Sequence, residues 1–467
     1  MTSVQRWTLA VVCAATAILM LDIAVVNTAL SAIAADLDTG LHGLQWVVDA
    51  YTLALATVVL TAGSLADRYG RRLVFAIGLV VFTMMSAVCA AAASIEMLDA
   101  ARAVQGLGAA AMFATSLALL ADAFPDARAR AGALAAYGAT IGASFAIGPA
   151  VGGALTSGLG WRWVFLVNLP IGALCLYIAV AKVRESRESH ARPVDKLGLV
   201  TLTGGLFLLV LGLLRGNELG WGSTAIVAEL AGAAVLLTAF VLVQARGRMP
   251  MLPLSLFRSG AFTGAQLTAF AISASFFAVF LYATIYMQHV LGLSAIEAGL
   301  VYLPSTMTIL FVSAATAQLA EKVHPGALIS AGLLLVAAGM ALLSTLGVDS
   351  SWTAVLPGTI VAGIGTGLFN PSVTAVALSS VPAEQSGLAA GVNDTFRQAG
   401  IAVGVAALGA LIPQDVLAGG SATEYVNGLQ TAMLAGAALA ATGAIAGALL
   451  IRRRAVAAAP VPEPEAA

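Results

Sequence analysis

Charge is scarce in this chain. Asp, Glu, Lys and Arg together make up 10% of its 467 residues, whereas a soluble domain carries about 25%. A surface so poor in charge does not face water over most of its area. Hydrophobic residues reach 60% and the mean hydropathy is +0.96, so the exterior is expected to face lipid. There is no basic excess either: the formal net charge is -1, which excludes the electrostatic footprint of a nucleic-acid binder. Cysteine is limited to Cys13, Cys89 and Cys175, each alone in an apolar run, so neither a disulfide framework nor a zinc signature is present. His42, His190, His289 and His324 are scattered, and no metal site is expected. The sequence also lacks a nucleotide-binding loop and any polar stretch long enough for a soluble domain, which argues against a membrane enzyme or sensor.

What is present is a succession of apolar runs. A helix needs about 20 mostly apolar residues to cross the hydrocarbon core, and an open sheet would leave unpaired backbone groups in lipid. Fourteen runs qualify, from one near Thr8 to one near Gly428, the thirteenth beginning near Asn393. The first, from Trp7 to about Leu30, is longer than the roughly 7–15 apolar residues of a signal peptide and reads as a retained helix. An even number of spans places both termini on one side. The map puts Arg162 and Arg215 in loops on one face and Arg102 and Arg397 within spans. All the others of the 22 Lys and Arg fall on the opposite face. By the positive-inside rule that face, with both termini, is cytoplasmic, and the chain is expected in the cell (inner) membrane.

Two echoes suggest duplication. "GLGAAAMFATSLALLADAFP" (106–125) resembles "GIGTGLFNPSVTAVALSSVP" (363–382), and "SLADRYG" has a faded counterpart in "QLAEKVH". Repeats of this kind are the mark of a transporter with its site between the halves near the midplane. The expected organisation is an N-terminal six-helix bundle over 1–190, two inserted helices over 191–250, a C-terminal six-helix bundle over 251–455 and a disordered tail over 456–467.

The sharpest motif is "GSLADRYGRR" (63–72), on the turn after the second span. Gly63 and Gly70 allow close approach and a tight turn, and Asp67 is placed to pair with Arg68, Arg71 or a helix N-terminus. A basic topogenic loop would explain the arginines but not the Gly and Asp spacing. The motif resembles the signature loop of the major facilitator superfamily. The resemblance continues through "LDIAVVNTAL" (21–30), "ARAVQGLGAAA" (101–111), "IGPAVGG" (147–153), "WRWVFLVNLPIG" (161–172) and "QHVLGLSAIEAGLVYLP" (288–304), and points to the fourteen-helix drug:proton antiporter branch. It implies an all-α integral membrane protein of the major facilitator fold, two six-helix bundles plus two inserted helices. It also implies a functional monomer in the lipid bilayer that uses protons and no cofactor or metal to export a small-molecule substrate. The second reading on the same fold is a dedicated exporter of one metabolite or secondary product.

Intramembrane charge carries the chemistry. An ionisable side chain at mid-bilayer costs at least about 2.5–3.5 kcal/mol, so it is rarely kept for packing alone. Asp22, Asp49, Arg102 and Asp394 are the candidates for proton coupling, since burial and a neighbouring cation act on a carboxyl in opposite directions. Each has a plainer alternative: Asp22 as a cap, Asp49 as a solvated interfacial group, Arg102 as a tether, and Asp394 as the partner of Arg397. Gly148, Pro149, Gly152 and Gly153 combine close helix packing in lipid with a weakened hydrogen-bond ladder. By the resemblance they form, with the Gly63–Arg71 motif, the conformational switch. Asn27, Gln105, Asn370 and Arg397 are the candidate cavity residues. "STMTILF" (305–311) lacks the carboxylate that dication-exporting relatives carry there, which argues against divalent-cation export.

Overall fold

The computed structural model describes residues 1–187, 194–247, 250–320, 322–381, 386–413, 417 and 420–451; the expected tail, 456–467, lies outside them. The described residues contain no strand. The long helices are α1 (Ser3–Leu37), α2 (Leu41–Tyr69), α3 (Arg71–Ala90), α4 (Ile95–Ala123), α5 (Ala127–Leu159), α6 (Trp163–Lys182) and α7 (Lys196–Leu219). They are followed by α8 (Thr224–Arg246), α9 (Gly260–Val290), α10 (Ala295–Leu319), α11 (Pro325–Leu343), α12 (Trp352–Ser379), α13 (Ser386–Gly409) and α14 (Ala422–Leu450).

Twelve of these are long and apolar enough to cross a membrane, and thirteen if the bent α5 is one span. The α13 helix falls outside that set. It carries Asn393, Asp394, Arg397 and Gln398 within its length, all buried or half-buried, and packs against α2, α7 and α9. A helix enclosed by others has little lipid-facing surface and does not need an apolar sequence. The expected count of fourteen membrane spans is therefore not reached: twelve or thirteen helices among the described residues qualify.

Local chemistry sets the helix starts. Thr2 and Gln5 form a capping box at α1, and Ser294 and Glu297 form another at α10, in which the Glu297 carboxylate accepts from the Ser294 N–H and Ser294 Oγ accepts from the Glu297 N–H. On α3, Leu73, Ile77, Val80 and Met84 make an exposed apolar stripe, as a lipid-facing side requires. Gln5 donates to the carbonyl of Ala123, which places the start of α1 beside the end of α4. Gly260 and Gly326 lie against the backbone at Leu450 and Ile451, so α9 and α11 begin where α14 ends. Exposed Trp163, Trp221 and Trp352 stand at the opposite ends of the helices, where a membrane interface favours amphipathic rings.

The sequence echo between 106–125 and 363–382 has a packing counterpart. Gly108 of α4 rests on the backbone of α3 at Gly78, and Gly365 of α12 rests on the backbone of α11 at Gly332. The same glycine in each repeat unit makes the same kind of helix crossing.

Several positions differ from the sequence expectation. Arg215 is not in a loop; it lies in α7 and pairs with Glu229 of α8. Because α13 begins before the expected start near Asn393, Asp394 lies about two turns inside it; Asp49 and Arg102 lie equally deep in α2 and α4, and all three are buried. Polar first turns made the hydropathy boundary start too late.

Candidate functional site

Asp22 of α1 and Arg102 of α4 form an ion pair of 2.5 Å in which the side chains are 0% and 2% exposed. The carboxylate accepts two further hydrogen bonds at 3.1 Å, from the amides of Gln105 and Asn168. Arg102 Nη1 also donates to Gln105 Oε1 at 2.7 Å, and its Nε donates to the carbonyl of Val47 at 3.0 Å. Ser86 of α3 accepts from both Gln105 and Asn168. The guanidinium stands over the ring of Tyr51, 4.2 Å from its centroid. Side chains from α1, α2, α3, α4 and α6, with the α2 backbone at Val47, thus meet in one cluster around the ion pair. A buried ion pair repays its desolvation only when its remaining polar atoms are also satisfied, and this one is held by the Gln105 and Asn168 amides and the Val47 carbonyl.

Asp49 is the opposite case. It is 0% exposed, and neither carboxylate oxygen has a hydrogen-bond partner. Such a group is costly to keep in an apolar interior, and its neighbour Gln45, one turn away on α2, is engaged with Tyr282 of α9 at 2.8 Å.

A second polar group lies on α13. Asn393 donates to Gln266 of α9 at 3.0 Å, and Arg397 donates to Asn370 of α12 at 3.3 Å. No ion pair joins Asp394 to Arg397 among the described residues; Oδ2 of Asp394 is buried without a partner, and Gln398 lies beside it. Tyr51, whose hydroxyl is also unpartnered, lies within electrostatic reach of Asp22, Arg102 and Asp394. Of the cavity residues expected from sequence, Gln105 joins the Asp22 cluster and Asn370 joins Arg397. Asn27 instead bonds to the carbonyl of Ile23 on its own helix.

The signature loop is arranged differently from expectation at one end. Gly63 lies inside α2, and no atom stands within 4 Å of where its Cβ would be, so close approach does not explain it. Gly70 is the turn, with φ 127°. Arg71 Nε and Nη2 bond to Asp67 Oδ1 at 3.0 and 2.9 Å, while Arg68 lies over the Tyr69 ring. Glu185, after α6, caps α3 by accepting from the N–H groups of Arg72 and Leu73 at 3.0 and 3.1 Å. Its carboxyl would stand 2.7 Å from a Cβ at position 70. Gly70→Ala is therefore expected to lose about 1–3 kcal/mol from backbone strain, on top of the clash with Glu185. A thermal melt in detergent, showing a lowered transition, checks this.

In α5 the two halves Gly132–Ser144 and Ile147–Leu159 meet at 43°, just before Pro149, whose ring opposes the carbonyl four residues earlier. Gly148 and Gly152 face α1 at Ala24, Val25 and Thr28, whereas Gly153 faces Ala295 and Ile296 of α10. Pro149 in turn meets Gly299 of α10. The expected bendable, close-packed segment thus lies between α1, which carries Asp22, and α10.

Sequence reasoning does not single out Ser86, Asn168, Gln45, Tyr282 or Glu185. Lone amides in apolar runs, such as Asn168 in "FLVNLPIG", are a usable signal, because lipid does not accept them without partners.

The sequence profile of the Major Facilitator Superfamily matches residues 12–405. The multidrug resistance protein Stp of Mycobacterium tuberculosis is 36% identical over 394 residues, covering 84% of this chain and 73% of that protein. The methylenomycin A resistance protein of Streptomyces coelicolor is 36% identical over 397 residues, covering 84% of this chain and 82% of its own. Among solved structures, the human organic anion transporter MFSD10 aligns with a TM-score of 0.61 at 17% identity, over 93% of this chain and 99% of that one, a likeness of fold.

Proposed function

The chain belongs to the major facilitator superfamily, and from that premise we propose that it exports amphipathic small molecules, antibiotics or lipophilic drugs and cations, from the cytoplasm in exchange for protons. It is a transporter and not an enzyme. The observation that carries the coupling is the contrast between two buried carboxyls: Asp22 clamped by Arg102, and Asp49 without a partner. Substrate enters an inward-open cavity between the bundles, a proton leaves a carboxyl to the cytoplasm, and reprotonation from outside accompanies release. Retaining a buried charge or an unpartnered carboxyl is expensive in a membrane, and transport chemistry gives it a use.

In this reading α5 and α13 also cross the membrane, giving fourteen spans. The N-terminal bundle covers 1–190, the inserted pair α7 and α8 lies within 191–250, and the C-terminal bundle covers 251–455. The start of α1 and the end of α14 face the cytoplasm of a bacterial inner membrane, as the arginine distribution supports. Asp22, Asp49, Arg102 and Asp394 handle the proton, the Gly63–Arg71 and Gly148–Gly153 segments switch conformation, and the protein works as a monomer. Resistance relatives named for single antibiotics favour a second reading, a dedicated exporter of one secondary product.

Transport in inverted vesicles, with an imposed proton gradient and a panel of lipophilic cations and antibiotics, tests the proposal. Gradient-dependent uptake of several unrelated compounds is expected, and uptake of only one would favour the dedicated exporter. Asp49→Asn is expected to reduce gradient-driven uptake at least tenfold. Uptake that ignores the gradient would overturn the coupling.

A further inference from the structure

The proton reading leaves open how a carboxyl as enclosed as Asp49 meets the outer water. Three elements close over it. On the outer side, one helical turn from Asp49, the Gln45 amide of α2 donates to the Tyr282 hydroxyl of α9 at 2.8 Å. That hydroxyl donates in turn to the carbonyl of Val405 on α13. All three side chains, Gln45, Asp49 and Tyr282, are at most 1% exposed. Gly409, one turn beyond Val405, gives the bridge room: a Cβ there would collide with both Tyr282 Oη and Gln45 Nε2. The other amide atom, Gln45 Oε1, is buried and unpartnered.

The helix that supplies the tyrosine is interrupted on both sides of it. In α9, Ala278–Ile285 is regular, but it lies between two π-helical stretches, Ser273–Phe277 and Tyr286–Val290. Such stretches are rare and are found frequently at functional sites. Changing either π turn to α rotates the intervening segment about the helix axis by roughly one residue's step, about 100°. A rotation of even part of that withdraws the Tyr282 hydroxyl from both partners.

We infer that Gln45 and Tyr282 form the outer gate over Asp49, closed through Val405, and that release of the tyrosine hydroxyl by rotation within α9 opens Asp49 to the outside. Tyr282 and Gln45 are positioning residues in this scheme: they control access to the carboxyl and do not carry the proton. The inference rests on the proposed role of Asp49 and adds its gate.

The test reads access directly. In a background in which Cys13, Cys89 and Cys175 are replaced, Asp49→Cys is labelled in intact cells with a membrane-impermeant maleimide. Tyr282→Phe, which deletes one oxygen, and Gln45→Ala are each expected to raise the labelling rate at least tenfold. The double variant is expected to exceed the faster single by less than twofold, because both break one bridge. Gly409→Ala, which displaces the same two side chains, is expected to raise the rate as well. Unchanged labelling in Tyr282→Phe and Gln45→Ala overturns the gate, as does a fully multiplicative double variant. Either single suffices if the other is not produced at the membrane. Labelling needs neither substrate nor gradient, so failure of the gate leaves the Asp49→Asn transport result standing. An incorrect proton assignment leaves the labelling result standing.

Discussion

Asp22→Asn is expected to abolish gradient-driven efflux while leaving a protein that still inserts. Asparagine keeps an oxygen for Gln105 or Asn168, both of which donate to Asp22, but it removes the charge that faces Arg102. Stranding one partner of a buried pair costs about 3–5 kcal/mol, so the variant is also expected to melt lower in detergent. The double variant Asp22→Asn with Arg102→Gln separates the two effects. It removes the stranded cation, so it is expected to regain most of the lost stability and none of the transport. Proton flux in vesicles and thermal melts of the same preparations read the two quantities. If Asp22→Asn transported at full rate and stoichiometry, the pair would be a structural tether.

Gly152→Val is the second large effect. A Cβ at position 152 would stand 2.8 Å from both Cα and the carbonyl oxygen of Val25, besides meeting the Thr28 hydroxyl. Backbone cannot step aside as a side chain can, so α5 must move away from α1 along the face next to Asp22. The expected result is loss of transport of at least a hundredfold, with a lowered melting transition. Gly63→Ala provides the contrast: with no atom of a neighbouring element within 4 Å of its Cβ position, it is expected to leave the melting transition unchanged. Side-by-side uptake and melting measurements on the two variants check both directions. Equal losses would mean that the glycines act through chain flexibility and not through helix contact.

The candidate site is partly legible in the sequence. The buried charges stand out because lipid makes them costly, and Asp22, Arg102 and Gln105 do meet in one cluster. Asp394 and Arg397 invite a different expectation. Spaced near one helical turn apart, they offer a pair as the alternative to proton coupling, yet Arg397 donates to Asn370 on α12 and no ion pair within 4 Å joins the two among the described residues. Spacing along one helix says which residues share a face, but partners on other helices compete for the same groups. Glu185 escapes the sequence pattern for a related reason: it lies more than a hundred residues from the α3 N-terminus it caps, and only the folded bundle brings them together.

The α13 helix shows the same division from the side of hydropathy. Its polar content takes it out of the apolar set, because hydropathy measures lipid exposure and α13 is enclosed by α2, α7 and α9. The sequence by itself determined the helical membrane class, the low-charge exterior and the residue types at risk of burial, since each follows from the cost of placing charge or bare backbone in lipid. Tertiary structure alone decided which buried carboxyl is clamped and which is left without a partner. That choice depends on side chains converging within about 3 Å from helices far apart in sequence, a distance that no one-dimensional pattern encodes.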